Sequence, residues 1–316
     1  MRFAFIAAKK AEHRVTILCR CMRVTRSGFY AWARRGLSAR AQRDLVLRTK
    51  LRAFHAASGH RYGRPRLWKD LREDGEAVSE KRVGRLMRAE QIHGRVPKRF
   101  THTTDSKHDD PIAANLLARD FTAAAPNHRW VGDTTEFVIG ENAKLYLAAI
   151  LDLFSRFVVG WAISAVNDRR LTLKALEMAI ARRCPEPGLL HHSDRGCTYT
   201  CEDYQTYLAA QGITCSMSRR GDCYDNAVSE SFFATVKKEE AERFPSYSDA
   251  KIALFDYIEV FYNQRRRHST IGYLSPAAFE RAAALQREST PRVHETVLGG
   301  ILQPAPAGDR RPWGIL

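Results

Sequence analysis

The chain has 316 residues, 44% of them apolar, which is too long for one small module and ample for a buried core, so two or three domains are expected. Its formal charge is +16, and all of the excess lies in residues 1–110, which hold 27 Lys/Arg against 11 Asp/Glu while the remainder holds 24 against 24. Such a split predicts a polyanionic partner gripped by the first third. Seven cysteines without a repeated CxxC pair argue against a disulfide framework and favour reduced thiols. Cys197 and Cys201 have no second Cys/His pair at zinc spacing. FAFIAA is shorter than a signal-peptide core, and the longest apolar run, LYLAAILDLF, is broken by Asp152, so a cytoplasmic protein with no membrane partner is expected.

In chain order, Arg14 to Arg35 reads as two short helices, with Val15, Leu18, Cys19 and Met22 at helical spacing and a new start at Thr25 or Ser27. A second pair follows. Arg64 to Glu73 is one helix, Gly75 breaks it, and Val78 with Ser79 supplies a staple and N-cap for Glu80 to Ala89, whose solvent side carries Arg82, Arg85 and Arg88. Two helix-turn-helix pairs in a basic segment predict DNA binding over residues 1–100, with those three arginines as candidate contacts. Residues 101–126 read as a polar linker.

From 127 to 284 the pattern changes. Trp130 to Ile139, Leu145 to Ser155 and Phe157 to Ile163 predict a three-stranded meander. A helix at Leu171 to Arg183, a strand at Gly188 to His192, a helix near Glu202 to Gln211 and a strand at Ile213 to Met217 follow, which together predict an α/β fold with a mixed five-stranded sheet. An amphipathic helix from Asp249 to Tyr262 places Ile252, Phe255 and Ile258 on one face and runs into NQRRRHS, whose Arg265, Arg266 and Arg267 are candidate phosphate contacts. Ser275 caps a helix beginning at Pro276. The last stretch, 285–316, has scattered prolines and no periodicity and is expected to be disordered.

Three carboxylates stand out: Asp133 in WVGDTTEF, Asp194 in HHSDRGCTY and Glu230 in NAVSESFFATVKKE, with 35 residues between the last two. That gap alone proves little, because this composition gives about 0.7 such Asp–Glu pairs by chance. Context says more. Asp133 lies inside an expected central strand, Asp194 at the C-terminal end of another, where ligands bind in open sheets, and Glu230 on a helix face shared with Phe233 and Lys237. Three hard oxygen donors suit Mg²⁺, and two such ions would serve an in-line displacement at phosphorus. Asp152 reads as a structural partner of Arg156, Asp222 and Asp225 as caps of the Glu230 helix, and His191 and His192 point to opposite faces, neither being expected to ligate metal.

These words, with LDLFSRFVVGWA, SMSRRGDCYDNAVSESFFATVK and FYNQRRRHSTIGYLSPAAF, resemble the integrase catalytic core of insertion-sequence transposases of the second-reading-frame (OrfB) type, family numbered three. CRCMRVTRSGFYAWARR and YGRPRLWKDLRE…VSEKRVGRLMR are similar to the helix-turn-helix regions of the same proteins. The resemblance implies a ribonuclease H-like core, catalytic and metal-binding roles for Asp133, Asp194 and Glu230, and a DNA contact from Lys237. It further implies two Mg²⁺ ions, replaceable by Mn²⁺, and metal-dependent strand cleavage and transfer, the work of a polynucleotidyl transferase. Expected partners are element ends and target DNA, further copies of the chain on paired ends, and an upstream-frame (OrfA) protein, joined to this chain as a frameshift fusion or separate; the expected place is the bacterial nucleoid. A catalytically silent DNA-binding regulator is the alternative, against which the intact triad argues. A ribonuclease H-type nuclease is another, against which the basic helical region argues.

Overall fold

The computed structural model describes residues 1–95, 112–219 and 223–289. The stretch 101–111 of the expected linker, Asp222, and residues 290–316 of the expected disordered tail lie outside the described residues.

Helices α1 (Arg2–Lys9), α2 (Val15–Cys21) and α3 (Arg26–Arg34) close on a small core of Ile6, Leu18, Cys19 and Phe29. The Thr25 hydroxyl accepts the Gly28 N–H at 3.1 Å, which fixes the start of α3 where the sequence put it. Next come α4 (Ala39–Ala57), α5 (Arg64–Glu73) and α6 (Glu80–Ala89), the last two with the predicted bounds and with Ser79 as the α6 cap. Helices α1 and α4 are additions to the sequence reading. Unlike the first trio, the second is continuous with the rest of the protein: Leu51, Tyr62 and Leu67 belong to the same apolar cluster as Val131, Phe233 and Phe261.

Strands β1 (Arg129–Ile139), β2 (Ala143–Asp152) and β3 (Val158–Ser164) form the expected antiparallel meander, and β4 (Leu190–Ser193) and β5 (Thr214–Met217) continue the sheet parallel to β1 in the order β3-β2-β1-β4-β5. A two-residue strand, β6 (Arg243–Phe244), pairs with the far end of β1 and is beyond the five predicted. Around the sheet lie α7 (Arg169–Arg183), α8 (Cys197–Thr200), α9 (Glu202–Ala210), α10 (Ala227–Glu239), α11 (Tyr247–Phe255) and α12 (Pro276–Ser289). Alternation along β1 and β2 gives each face its own core. Trp130, Ala148 and Ile150 meet Leu171, Leu176 and Tyr204 on one side, while Val131, Phe137 and Ala149 meet Phe233 and Val236 of α10 on the other. Burying each such large apolar side chain contributes roughly 1.5–3 kcal/mol. Helix α7 lies so close to β3 that a Cβ on Gly160 would stand 2.1 Å from the Ala175 carbonyl oxygen, so only glycine fits there.

Three differences from the sequence reading have plain causes. The helix predicted for Asp249 to Tyr262 is α11 followed by a π-helical segment, Asp256–Tyr262, and its buried stripe is Ala250, Leu254, Tyr257, Ile258, Phe261 and Tyr262. Ile252 and Phe255 lie about half a turn away and are exposed, so only Ile258 of the predicted face is in the core. Residues 112–126 are a packed strap: Leu117 is buried, and the Leu116 and Leu117 N–H groups donate to the Ser216 hydroxyl on β5. Helix α12 also continues through Ser289, past the predicted onset of the disordered tail at 285. Among the described residues no helix is long and apolar enough to cross a membrane.

Candidate active site

Asp133 sits in the middle of β1, flanked by β2 through its Ala149 pairing. The parallel register pairs Val131 with His192, so two residues further along both chains Asp194 comes level with Asp133, just past the end of β4. The two carboxylates therefore share one face at the sheet's carboxyl edge. Glu230 joins them from the first turn of α10, which packs on β1.

The electrostatics report this convergence. The Asp133 carboxyl is pushed well above the ordinary aspartate range, by burial first and then by Asp194; the Thr134 N–H, at 2.7 Å, opposes the shift, Glu230 adds to it, and the Asn226 side chain opposes it through a hydrogen bond. Loss of hydration and neighbouring like charges both disfavour the ionised carboxylate. The Asp194 carboxylate accepts the Gly196 N–H at 2.9 Å, and a Cβ at Gly196 would come to 3.0 Å from the same oxygen. Glycine keeps that space open. Among the described residues no group of three or more Asp, Glu, His or Cys side chains is positioned to hold a metal ion, while Asp194 and Glu230 both lie within electrostatic reach of Asp133.

The surroundings fit a hard divalent cation. All three candidate ligands are carboxylates, and Asn226, already bonded to Asp133, keeps its Oδ1 buried without a partner. Neither histidine of the doublet is suited to ligation. His192 uses Nδ1 on the Ser216 hydroxyl at 2.9 Å and Nε2 on that of Ser218 at 3.1 Å. His191 points to the opposite face, as expected, and meets the Tyr204 hydroxyl at 3.1 Å.

Burial lowers both histidines, His191 to about 3 and His192 to about 4. A depressed histidine stabilises the fold fully above its unfolded value near 6.5 and loses that stability as pH falls below it. Each ring should then cost about 1 kcal/mol between pH 6.5 and 5.5. Asp152, raised to about 6 chiefly by burial, works the opposite way in the same window, so the difference between variants is the readout. The pH 6.5-to-5.5 drop in unfolding free energy should shrink by about 1 kcal/mol in His191→Gln; an unchanged drop would count against the buried neutral ring.

The remaining candidates separate. Lys237 comes near: its ammonium lies 5.6 Å from the Phe137 ring centre, burial lowers its pKa, and Glu136, Glu242 and Asp133 pull it back up. Arg265 is exposed. Arg266 and Arg267, expected to contact phosphate, are held by carboxylates instead, Arg266 by Glu239 at 2.7 and 2.8 Å and Arg267 by Asp70 at 2.6 Å and Glu73 at 2.5 Å. Arg82 and Arg85 of α6 likewise both bind Asp44 of α4 at 2.8 Å, leaving Arg88, whose Nε donates to the Gly84 carbonyl, as the exposed member of that row without a carboxylate partner. Asp152 is satisfied by the backbone N–H groups of Asn127 and Phe154 at 2.7 and 2.8 Å, so its partners are main chain and not the Arg156 side chain.

Asp225 is no helix cap. It takes Arg219 at 2.9 and 3.0 Å, Arg119 at 3.1 Å and Asn115 at 2.8 Å, and the Arg219 side chain foremost holds it far below the usual carboxylate range. That clamp ties the strap to the residues just before α10. Two residues were missed by the sequence reading: Asn226, whose signal was its place one turn before Glu230, and Glu239, which has no local signal.

Known families match both the helical part and the sheet-bearing part of the chain. The integrase core domain family matches residues 123–223 and again 211–276, and the HTH-like domain family matches 41–100. An insertion element IS600 31 kDa protein of Shigella sonnei is 40% identical over 264 residues, 83% of this chain and 97% of its own length. The transposase InsF of insertion sequence IS3A from Escherichia coli K12 is 38% identical over 284 residues, 89% of this chain and 98% of its own. Among solved structures, a simian T-cell lymphotropic virus intasome chain covers 82% of this chain and 80% of that one at 16% identity and a TM-score of 0.42.

Proposed function

Because this chain belongs to the insertion-sequence transposases of the IS3 InsF type, with a ribonuclease H-like integrase core behind an HTH-like region, we propose that Asp133, Asp194 and Glu230 carry its strand cleavage and transfer. The observation that supports the assignment most directly is the raised Asp133 carboxyl, which owes its shift after burial to the two other members of the triad. Two Mg²⁺ ions, replaceable by Mn²⁺, held by these carboxylates would supply Lewis-acid activation of a water or 3′-hydroxyl and charge compensation at the departing oxygen.

The chain's own residues do the positioning. Thr134 N–H and Asn226 orient the Asp133 carboxylate, and Gly196 N–H orients Asp194, so two of the three donors are aimed by fixed backbone or side-chain dipoles before substrate arrives. Lys237, partly buried and within electrostatic range of Asp133, is placed to neutralise a phosphate of the strand being joined. Arg265 and Arg88 are assigned to DNA backbone further out; Arg82, Arg85, Arg266 and Arg267 are assigned to structure because carboxylates already hold them. DNA is the substrate and partner, the active form is a multimer on paired ends, and an upstream-frame protein or fusion supplies terminal-repeat recognition.

The test is a strand-transfer assay with oligonucleotides carrying candidate element ends. Product should form with Mg²⁺ or Mn²⁺ and fall to background in excess chelator, returning when the cation is restored. Normal product yield in chelator would refute the reading.

A further inference from the structure

A cavity of about 300 Å³ opens between α5, α10, the π-helical segment and the loop that follows it. Three arginines, Arg66, Arg156 and Arg266, are among its lining residues, and no acidic residue is. Each has a different degree of satisfaction. Arg266 is buried and held by Glu239 through Nε and Nη2, while its Nη1 lies 3.3 Å from the His268 ring nitrogens. Arg66 donates to the Arg267 carbonyl at 2.9 Å and to Glu239 at 3.2 Å. Arg156 donates Nη2 to the Phe121 carbonyl at 3.1 Å, but its Nη1 is buried with no partner.

His268, at the same wall, is lowered well below its ordinary value by burial first and then by Arg266, Arg66 and Arg156, so all three cations reach one neutral ring. Against them stand Glu239, which neutralises Arg266, and Asp152 near Arg156, whose carboxylate oxygens accept backbone N–H groups. With Arg266 neutralised by Glu239, Arg66 and Arg156 leave the lining positive, and a cavity with no acidic lining residue favours an anion with several oxygens. The hydroxyls of Thr235 and Thr270 on the lining add further donors, and the cavity is at the lower end of the size of small-ligand pockets.

We propose that this cavity is a phosphate-binding pocket, distinct from the carboxylate triad, that takes the phosphate group of a DNA strand or of a free polyphosphate. The DNA source rests on the transposase reading, and α10, which lends one face to the cavity and carries Glu230, would bring a strand from one to the other. The polyphosphate source does not depend on that reading.

The full chain is tested in metal-free buffer with inorganic pyrophosphate, reading the thermal midpoint, and with duplex DNA, reading binding against salt. Thr270→Glu places a carboxylate at the exposed rim, Thr270→Gln is its neutral control, and Arg156→Gln removes the unpartnered donor. Pyrophosphate should raise the midpoint of the native chain and of Thr270→Gln by a few degrees more than that of Thr270→Glu or Arg156→Gln. If DNA fills the pocket, Thr270→Glu and Arg156→Gln should also lower the slope of log K against log salt by about 0.9, one phosphate contact. Loss of the pyrophosphate shift with an unchanged DNA slope identifies a free anion as the ligand and still supports the pocket. Equal pyrophosphate shifts in all four proteins, or none in the native chain, overturn it, and neither result bears on whether the triad cuts DNA.

Discussion

Asp133→Asn should reduce strand transfer by on the order of 10³-fold or more while leaving the metal-free protein at least as stable as the native chain. The two effects have one cause. Asp133 is a buried carboxyl facing two like charges, and the fold holds it at a cost visible in its raised pKa. An asparagine keeps an oxygen for the Thr134 N–H, now at 2.7 Å, and removes the repulsion from Asp194 and Glu230. The gain is read as an upward shift of the urea midpoint without divalent cation. Glu230→Gln should behave alike in activity. Adding Mg²⁺ should raise the native midpoint and leave that of Asp133→Asn nearly unmoved. A variant that retains full strand transfer would remove Asp133 from the site; one that loses activity by unfolding would show that the residue is structural and not a held-open ligand position.

What could be read in advance follows from how far apart the determining residues lie. Helices α5 and α6 were legible because Gly75, Val78 and Ser79 encode the break and the cap within five positions. The placement of the three carboxylates was legible because each carries a local address: mid-strand, strand end, helix face. The arginines were not. Arg82 and Arg85 look like an open row on α6 until Asp44, 38 and 41 residues earlier, reaches across from α4. Arg266 and Arg267 look like a basic helix end, yet their partners lie 27 residues away on α10 and about 195 away on α5. Ion pairs at such separations leave no periodicity, so a sequence reading assigns every such cation to the solvent. The same limit hid the strap at 112–126, whose polarity matches a linker but whose Leu117 and two N–H groups are anchored to the core and to Ser216 on β5.

Glu239 is where those hidden pairs meet, and replacing it should have the largest effect on stability. It ends α10, nine residues after Glu230, and is buried. Its carboxylate accepts Arg266 at 2.7 and 2.8 Å, Arg66 of α5 at 3.2 Å and the Tyr257 hydroxyl at 2.9 Å; burial pushes its pKa up, and Arg266 with Arg66 overcomes that and holds it below the usual range. Its carbonyl accepts Arg61 and Arg95, at 3.0 and 2.6 Å, cations suited to a helix C-terminus. Around it Arg61 also binds Glu240, and Arg267 binds Asp70 and Glu73 of α5. The HTH-like unit is thus fastened to the end of the very helix that carries Glu230. Glu239→Ala would leave Arg266, buried, with no counter-charge, which costs about 3–5 kcal/mol. Glu239→Gln, keeping the Tyr257 bond and one acceptor, should cost less. Because a buried pair contributes little beyond an apolar pair of similar volume, Glu239→Met with Arg266→Met should recover most of the loss. Urea unfolding reads all four proteins, and hydrogen exchange in α5 and α10 reads where the loosening falls. A Glu239→Ala protein within 1 kcal/mol of native would dismiss the hub. If instead α5 and α10 lose protection together, and strand transfer falls although the triad is intact, the HTH-like unit positions Glu230 through this carboxylate.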